Sequence, residues 1–168
     1  LRDARILTIY EGTTGIQAND LVGRKTAREG GTTARAVLDM MRATASDIDA
    51  TCSDLAVIRA ALAEGIEDYQ ACVDWIVATY ADDIRAPHAG AVPFLKLAGI
   101  VCGGWQLARS ANIASRRIKE GSGDRGFLEA KIVTARFYAE HLMTQVAGLR
   151  KTVLDGAAVV MALPTEQF

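Results

Sequence analysis

Residues 53–80, SDLAVIRAALAEGIEDYQACVDWIVATY, place Leu55, Ile58, Leu62, Ile66, Tyr69, Val73, Ile76 and Tyr80 at alternating spacings of three and four. That period is the apolar stripe of an α-helix, and no proline interrupts it. At about 1.5 Å per residue the helix would be about 40 Å long. A seam this regular is the kind that packs in an antiparallel bundle.

The same period recurs on both sides. Upstream, Thr32 to Cys52 carries Val37, Leu38, Met41, Ala45, Ile48 and Cys52 on one stripe, with Arg35, Asp39, Arg42 and Asp49 on the solvated side. Downstream, Pro87, Gly90 and Pro93 break the chain. A fourth helix is expected from Phe94 to Lys119, carrying Leu97, Val101, Trp105 and Ala108, and Gly121 to Gly123 would end it. Asp124 should cap a fifth, burying Phe127 or Leu128 and then Ile132, Ala135, Tyr138, Leu142, Val146 and Leu149. Gly156 and Pro164 mark a terminal hook. Strong β-branched alternation is missing, so the fold class is all-α: an antiparallel up-down four-helix bundle over residues 32–168, preceded by an arm over residues 1–31. Gly103-Gly104 inside the fourth helix predicts close contact with another helix or chain.

Composition narrows the function. Nineteen Lys and Arg against 20 Asp and Glu give a net charge of −1, which offers no field for nucleic acid or an anionic membrane. The longest uncharged apolar stretch, Leu97 to Ala108, falls short of the roughly 20 residues of a spanning helix, so no membrane insertion is expected. Cys52, Cys72 and Cys102 lack any C-x-x-C spacing and read as reduced, buried thiols of a cytoplasmic protein. An opening at Leu1, without a signal-like segment, reads as a fragment of something longer.

The arm carries the chemistry. In Tyr10-Glu11-Gly12-Thr13-Thr14-Gly15-Ile16-Gln17 a carboxylate stands beside a flexible glycine at a helix entrance. The helix should begin after Thr14, with Thr14 and Gln17 forming a T-x-x-Q capping box and Ile16, Leu21 and Val22 facing inward, and Gly30-Gly31 should end it. Glu11 could swing to a bound substrate and remove a proton, or it could be a surface glutamate favoured by the helix dipole.

The longer string from Arg2-Asp3 through Gln17 resembles the catalytic loop of acyl-CoA dehydrogenases. By that resemblance Glu11 matches the base that takes the α-proton of an acyl-CoA thioester while the β-hydrogen leaves as hydride to N5 of FAD. The amide of Glu11 would bind the thioester oxygen, Gly12 would lie against the thioester, and Thr13, Thr14, Gly15 and Gln17 would line FAD. Many family members have glutamine where this chain has Gly15. Asn19-Asp20-Leu21-Val22-Gly23-Arg24-Lys25 and Gly30-Gly31, followed by a long helical stretch, are similar to a longer subfamily with an appended C-terminal helical domain, the bacterial 3-methylmercaptopropionyl-CoA dehydrogenase-like enzymes. The resemblance implies a role in fatty acid metabolism, a homo-oligomer and an electron-transferring flavoprotein as acceptor. It also implies an inactive isolated fragment whose bundle aids oligomerisation or covers the active site. A stand-alone helical interaction module, without catalysis, is the competing expectation.

Other motifs read as structure. Gly121-Ser122-Gly123-Asp124-Arg125-Gly126 fits G-x-G-x-x-G but follows a helix instead of a strand. Neither His88 nor His141 has a glutamate three residues before it, so a di-iron bundle site and metal binding are not expected. His88 is expected in a solvated turn and His141 on a helix face. Arg116, Arg117 and Lys119 complement a helix C-terminus, with phosphate binding as the minor reading. Asp82-Asp83 should be solvated.

Overall fold

The computed structural model describes residues 2–9 and 13–167, with Ala4, Leu7 and Thr8 by backbone alone. Among the described residues all regular structure is helical: α1 Thr14–Val22, α2 Thr32–Asp47, α3 Ser53–Thr79, α4 Arg85–Ala89, α5 Ala91–Lys119, α6 Arg125–His141, α7 Val146–Asp155 and α8 Ala157–Val160. Short 3-10 turns at Asp3–Thr8, Met143–Gln145 and Thr165–Gln167 complete it, with a π turn at Gly23–Ala27.

The two longest helices organise the molecule. α3 buries Leu55, Ile58, Leu62, Ile66, Tyr69, Val73 and Ile76 as its spacing predicts, while Tyr80 is half-buried at its end. α5 packs against α1, α2, α3, α6 and α7. It is 29 residues long with a mean hydropathy of 1.3 over its most apolar window, enough by length and composition to cross a membrane. The expectation from the Leu97–Ala108 stretch therefore understates this helix. Its apolar side, with Phe94, Leu97, Val101, Ala108 and Ala111 fully enclosed, is the side that those neighbours cover.

Several boundaries differ from expectation, each for a local reason. α2 stops at Asp47, short of Cys52, because Asp49 Oδ1 accepts both the amide and the hydroxyl of Thr51 and draws the chain out of the helix. Ile48 is still buried and Cys52 half-buried. Pro87 and Pro93 do not break the chain: each is the third residue of a helix, where a missing N–H is not needed. Asp124 caps α6 as expected, its Oδ1 accepting from the Phe127 amide at 3.2 Å. Leu128 is the buried member of the Phe127/Leu128 pair, and Phe127 is exposed.

The expected fifth helix is two. α6 ends at His141, a 3-10 turn follows, and α7 resumes at Val146. The turn drives Met143 into a slot that glycines leave open on both central helices. A Cβ on Gly65 would stand 2.6 Å from Met143 Cε, and one on Gly104 would collide with Met143 Sδ. Next to it, a Cβ on Gly103 would lie 2.5 Å from the Tyr138 hydroxyl, which instead donates to the Ile100 carbonyl at 3.2 Å. The close contact predicted from Gly103-Gly104 is thus made by α6 and the turn after it.

Candidate functional site

Of the site residues expected from the arm, Glu11 and Gly12, with Tyr10, lie outside the described residues. Thr13 holds the cap position of α1 at φ −128° and ψ 4°, and its carbonyl accepts from the Gln17 amide at 2.8 Å. The capping box is not formed. α1 starts one residue earlier than expected, so Gln17 is its fourth residue instead of the third, too far along to reach back, and Thr13 makes no side-chain cap bond. Thr14, Gly15 and Gln17 are exposed, and among the described residues nothing lies within 4 Å of a Cβ on Gly15. Ile16 is also exposed, at 67%, against the expectation that it faces inward. The reason is rotational: α1 buries Ala18 and Val22, and Ile16 stands about 200° around the helix from Ala18.

Behind this exposed start α1 is firmly held. Ala18 and Val22 are fully buried and Leu21 is half-buried against the core. At the end of α1, Arg28 N bonds Gly23 O at 3.0 Å and Gly31 N bonds Thr26 O at 2.8 Å, widening the helix into a π turn. Gly30 and Gly31, at φ 59° and 77°, then terminate it as expected. Asp20 accepts two bonds from Arg24, at 2.6 and 2.8 Å, and faces Lys25 at 3.2 Å. Arg24 first, then Lys25, holds the Asp20 carboxyl down to about 2.

A polar link from α1 to the other helices runs through His88, which is half-buried instead of solvated in a turn. Its Nδ1 stands 2.9 Å from Asn19 Oδ1, an oxygen that can only accept, so Nδ1 carries the proton and donates. Its Nε2 faces the Tyr80 hydroxyl at 3.5 Å. Gly23 lets the group close: a Cβ there would lie 2.9 Å from the Tyr80 oxygen and 3.6 Å from the His88 ring. Asn19, Asp20, Gly23, Arg24, Arg28, Tyr80 and His88 line a hollow of about 260 Å³. Sequence spacing gave no sign of this constellation, since Asn19 and His88 are 69 positions apart.

The remaining candidates are structural. Arg116 pairs with Asp47 and Lys119 with Asp49, each at 2.6 Å, so both cations already have carboxylate partners across the α2–α5 contact. Asp83, two residues before α4, accepts the Arg85 amide at 3.0 Å. His141 is an exposed helix residue stacked on Phe137 at 4.4 Å. Gly121 and Gly123, at φ 68° and 86°, turn the chain between α5 and α6. Among the described residues no group of three or more His, Cys, Asp or Glu side chains could hold a metal.

Comparison with known proteins places these elements in a family. The model described as Acetyl-CoA dehydrogenase C-terminal like matches residues 37–164. The chain is 43% identical over 154 residues to the 3-methylmercaptopropionyl-CoA dehydrogenase of Ruegeria pomeroyi, covering 92% of this chain and 26% of that protein. It is 32% identical over 161 residues to a broad-specificity linear acyl-CoA dehydrogenase of Mycobacterium tuberculosis, covering 91% and 26%. A butyryl-CoA dehydrogenase of Syntrophomonas wolfei is 27% identical over 172 residues, covering 99% and 28%. The chain spans about a quarter of the length of these relatives. The resemblance to acyl-CoA dehydrogenases is borne out over most of the chain, and the chain belongs to the acetyl-CoA dehydrogenase C-terminal-like family.

Proposed function

We propose that the chain is the C-terminal part of an FAD-dependent acyl-CoA dehydrogenase that forms 2,3-enoyl-CoA, with Glu11 as its base. The observation that carries this is the Tyr10-Glu11-Gly12 string at the entrance of a helix, in a chain whose relatives are named acyl-CoA dehydrogenases. Glu11 takes the α-proton of the thioester; the Cα–H pair becomes the new double bond as the β-hydrogen leaves with its own pair. FAD, when bound, supplies the acceptor for that hydride. The Glu11 amide, beside Gly12, donates to the thioester oxygen and stabilises its developing charge. Thr13, Thr14, Gly15 and Gln17 fit a flavin edge in one respect: three of the four are exposed at the open end of α1, where helix amides lack intrahelical partners and Gly15 leaves free space. Residues 1–31 are then the end of the catalytic domain, and residues 32–168 an appended up-down bundle that aids oligomerisation or covers the active site. The whole enzyme would be a cytoplasmic homo-oligomer passing electrons to an electron-transferring flavoprotein, and this piece alone would be inactive.

The test belongs in the complete polypeptide. Glu11→Gln should keep bound FAD, read from its visible absorbance, and lose flavin bleaching by acyl-CoA. Normal bleaching by that variant overturns the assignment. A stand-alone interaction module is favoured by one observation, the exposed apolar side chains Phe127, Val133 and Phe137 on one side of α6. A stable assembly of this chain in light scattering, formed without any flavin domain, would support that reading.

A further inference from the structure

Asn19 lies eight positions after Glu11 and on the same short helix that Thr13 opens. Anything that fixes α1 therefore fixes the point where the segment that carries Glu11 joins it. Among the described residues, two kinds of contact tie α1 to the other helices. One is apolar and non-directional, the burial of Ala18 and Val22. The other is a directional bond, His88 Nδ1–H to Asn19 Oδ1 at 2.9 Å, which sets the rotation and height of α1 in a way that apolar contact does not.

His88 is itself rigidly mounted. Pro87 beside it is buried, and Gly90, two residues on, lies so close to α7 that a Cβ would meet the Val153 backbone at 3.3 Å. The Tyr80 ring packs on the imidazole with centroids 5.7 Å apart, and its hydroxyl faces Nε2. The ring is thus held by the end of α3 on one side while it grips α1 on the other.

We propose that His88 is a positioning residue for the proposed dehydrogenase reaction: through Asn19 it indexes α1, and so the point where the segment that carries Glu11 joins it, against the other helices. This rests on the reading of Glu11 as the base. It gives the appended helices a role in catalysis besides assembly, since the bundle supplies the fixed end of the clamp.

The experiment uses the complete flavoenzyme. His88→Ala and Asn19→Ala should each slow acyl-CoA-dependent flavin reduction by about tenfold to a hundredfold, as a misplaced reacting group does, with substrate affinity and FAD content retained. The double variant should be no slower than either single one, because both remove the same bond. His88→Asn, whose side-chain amide can stand where Nδ1 stands, should restore most of the rate. Hydrogen exchange at amides 17–22 should be faster in His88→Ala and near normal in His88→Asn. Faster exchange with an unchanged reduction rate overturns the proposal and leaves the clamp as a structural tether; additive losses in the double variant overturn it too. If Glu11→Gln still reduces its flavin, the base assignment fails instead, and the exchange data still report whether the clamp exists.

Discussion

Met143 occupies the space that a side chain on Gly65 would need: its terminal methyl lies 2.6 Å from the position of a Cβ there, and the Gly104 Cβ position is blocked by its sulfur. One side chain from the turn after α6 thereby registers α3 against α5. Replacing glycine by alanine inside a helix gains about 1 kcal/mol in propensity, whereas overfilling a packed site costs about 1–3 kcal/mol. At Gly104 the obstruction is the middle of the Met143 side chain, which cannot swing aside as a chain end can, so Gly104→Ala should destabilise. Gly99 on the same helix has nothing among the described residues within 4 Å of its Cβ position, and Gly99→Ala should stabilise by about 1 kcal/mol. Urea unfolding followed by circular dichroism reads both; a stabilising Gly104→Ala would show that Met143 does not fill the slot.

What could be read from sequence follows from range of interaction. The α3 seam and the Asp124 cap depend on residues within one or two turns, and both appear as expected. The break after His141 was illegible, because residues 141–146 contain no proline or glycine; the cause is a slot made by Gly65 and Gly104, distant in the chain. The half-buried place of His88 is hidden from local sequence for the same reason, its partner Asn19 being on another helix. The proposal for Glu11 rests only on the string around it, since a glutamate before a glycine has many structural uses.

Asn112 should matter more than the salt bridge beside it. Its side-chain nitrogen, on a residue only 5% exposed, donates to Asp47 Oδ2 at 2.9 Å and approaches the Asp47 carbonyl at 3.3 Å. Arg116 reaches Oδ1 of the same carboxylate at 2.6 Å but is more than half exposed. A hydrogen bond to a charged group contributes about 1.5–3 kcal/mol, and an exposed ion pair about 0–1 kcal/mol. Asn112→Ala is therefore expected to lower the unfolding free energy clearly more than Arg116→Ala, and equal losses in denaturant titrations would count against this ranking.

Acid should unfold the protein, with one carboxylate acting in the opposite sense. Asp20 is held down to about 2 by Arg24 first and Lys25 next; Asp49 is lowered by Lys119 and Thr51, and Asp74 chiefly by Arg35. An unfolded aspartate titrates near about 3.9, so these groups contribute stability above that value that is lost as pH falls towards about 2. Asp68 is different: desolvation raises it, outweighing Arg150 at 3.5 Å. The folded chain then holds its proton to higher pH than the unfolded chain, so the charged form detracts from stability at neutral pH. Asp68→Asn should raise the thermal midpoint at pH 7 and lose that advantage below about pH 4. A lower midpoint at pH 7 would mean that the Arg150 pair outweighs burial.

The thiols should react in an order set by burial. Cys72 is fully enclosed, and burial first, with the Asp68 charge adding to it, pushes its thiol up to about 12. At pH 8 that leaves about one thiolate in 10,000, besides the steric barrier. Cys52 and Cys102 are half-buried, with the Cys102 thiol also raised by burial. Brief treatment with a thiol-alkylating reagent at pH 8, followed by peptide mass analysis, should therefore modify Cys72 last and at the rate of global unfolding. Early modification of Cys72 would require α3 to separate from its neighbours in the native state, and such opening would also loosen Tyr80 at its far end and the hold of that ring on His88.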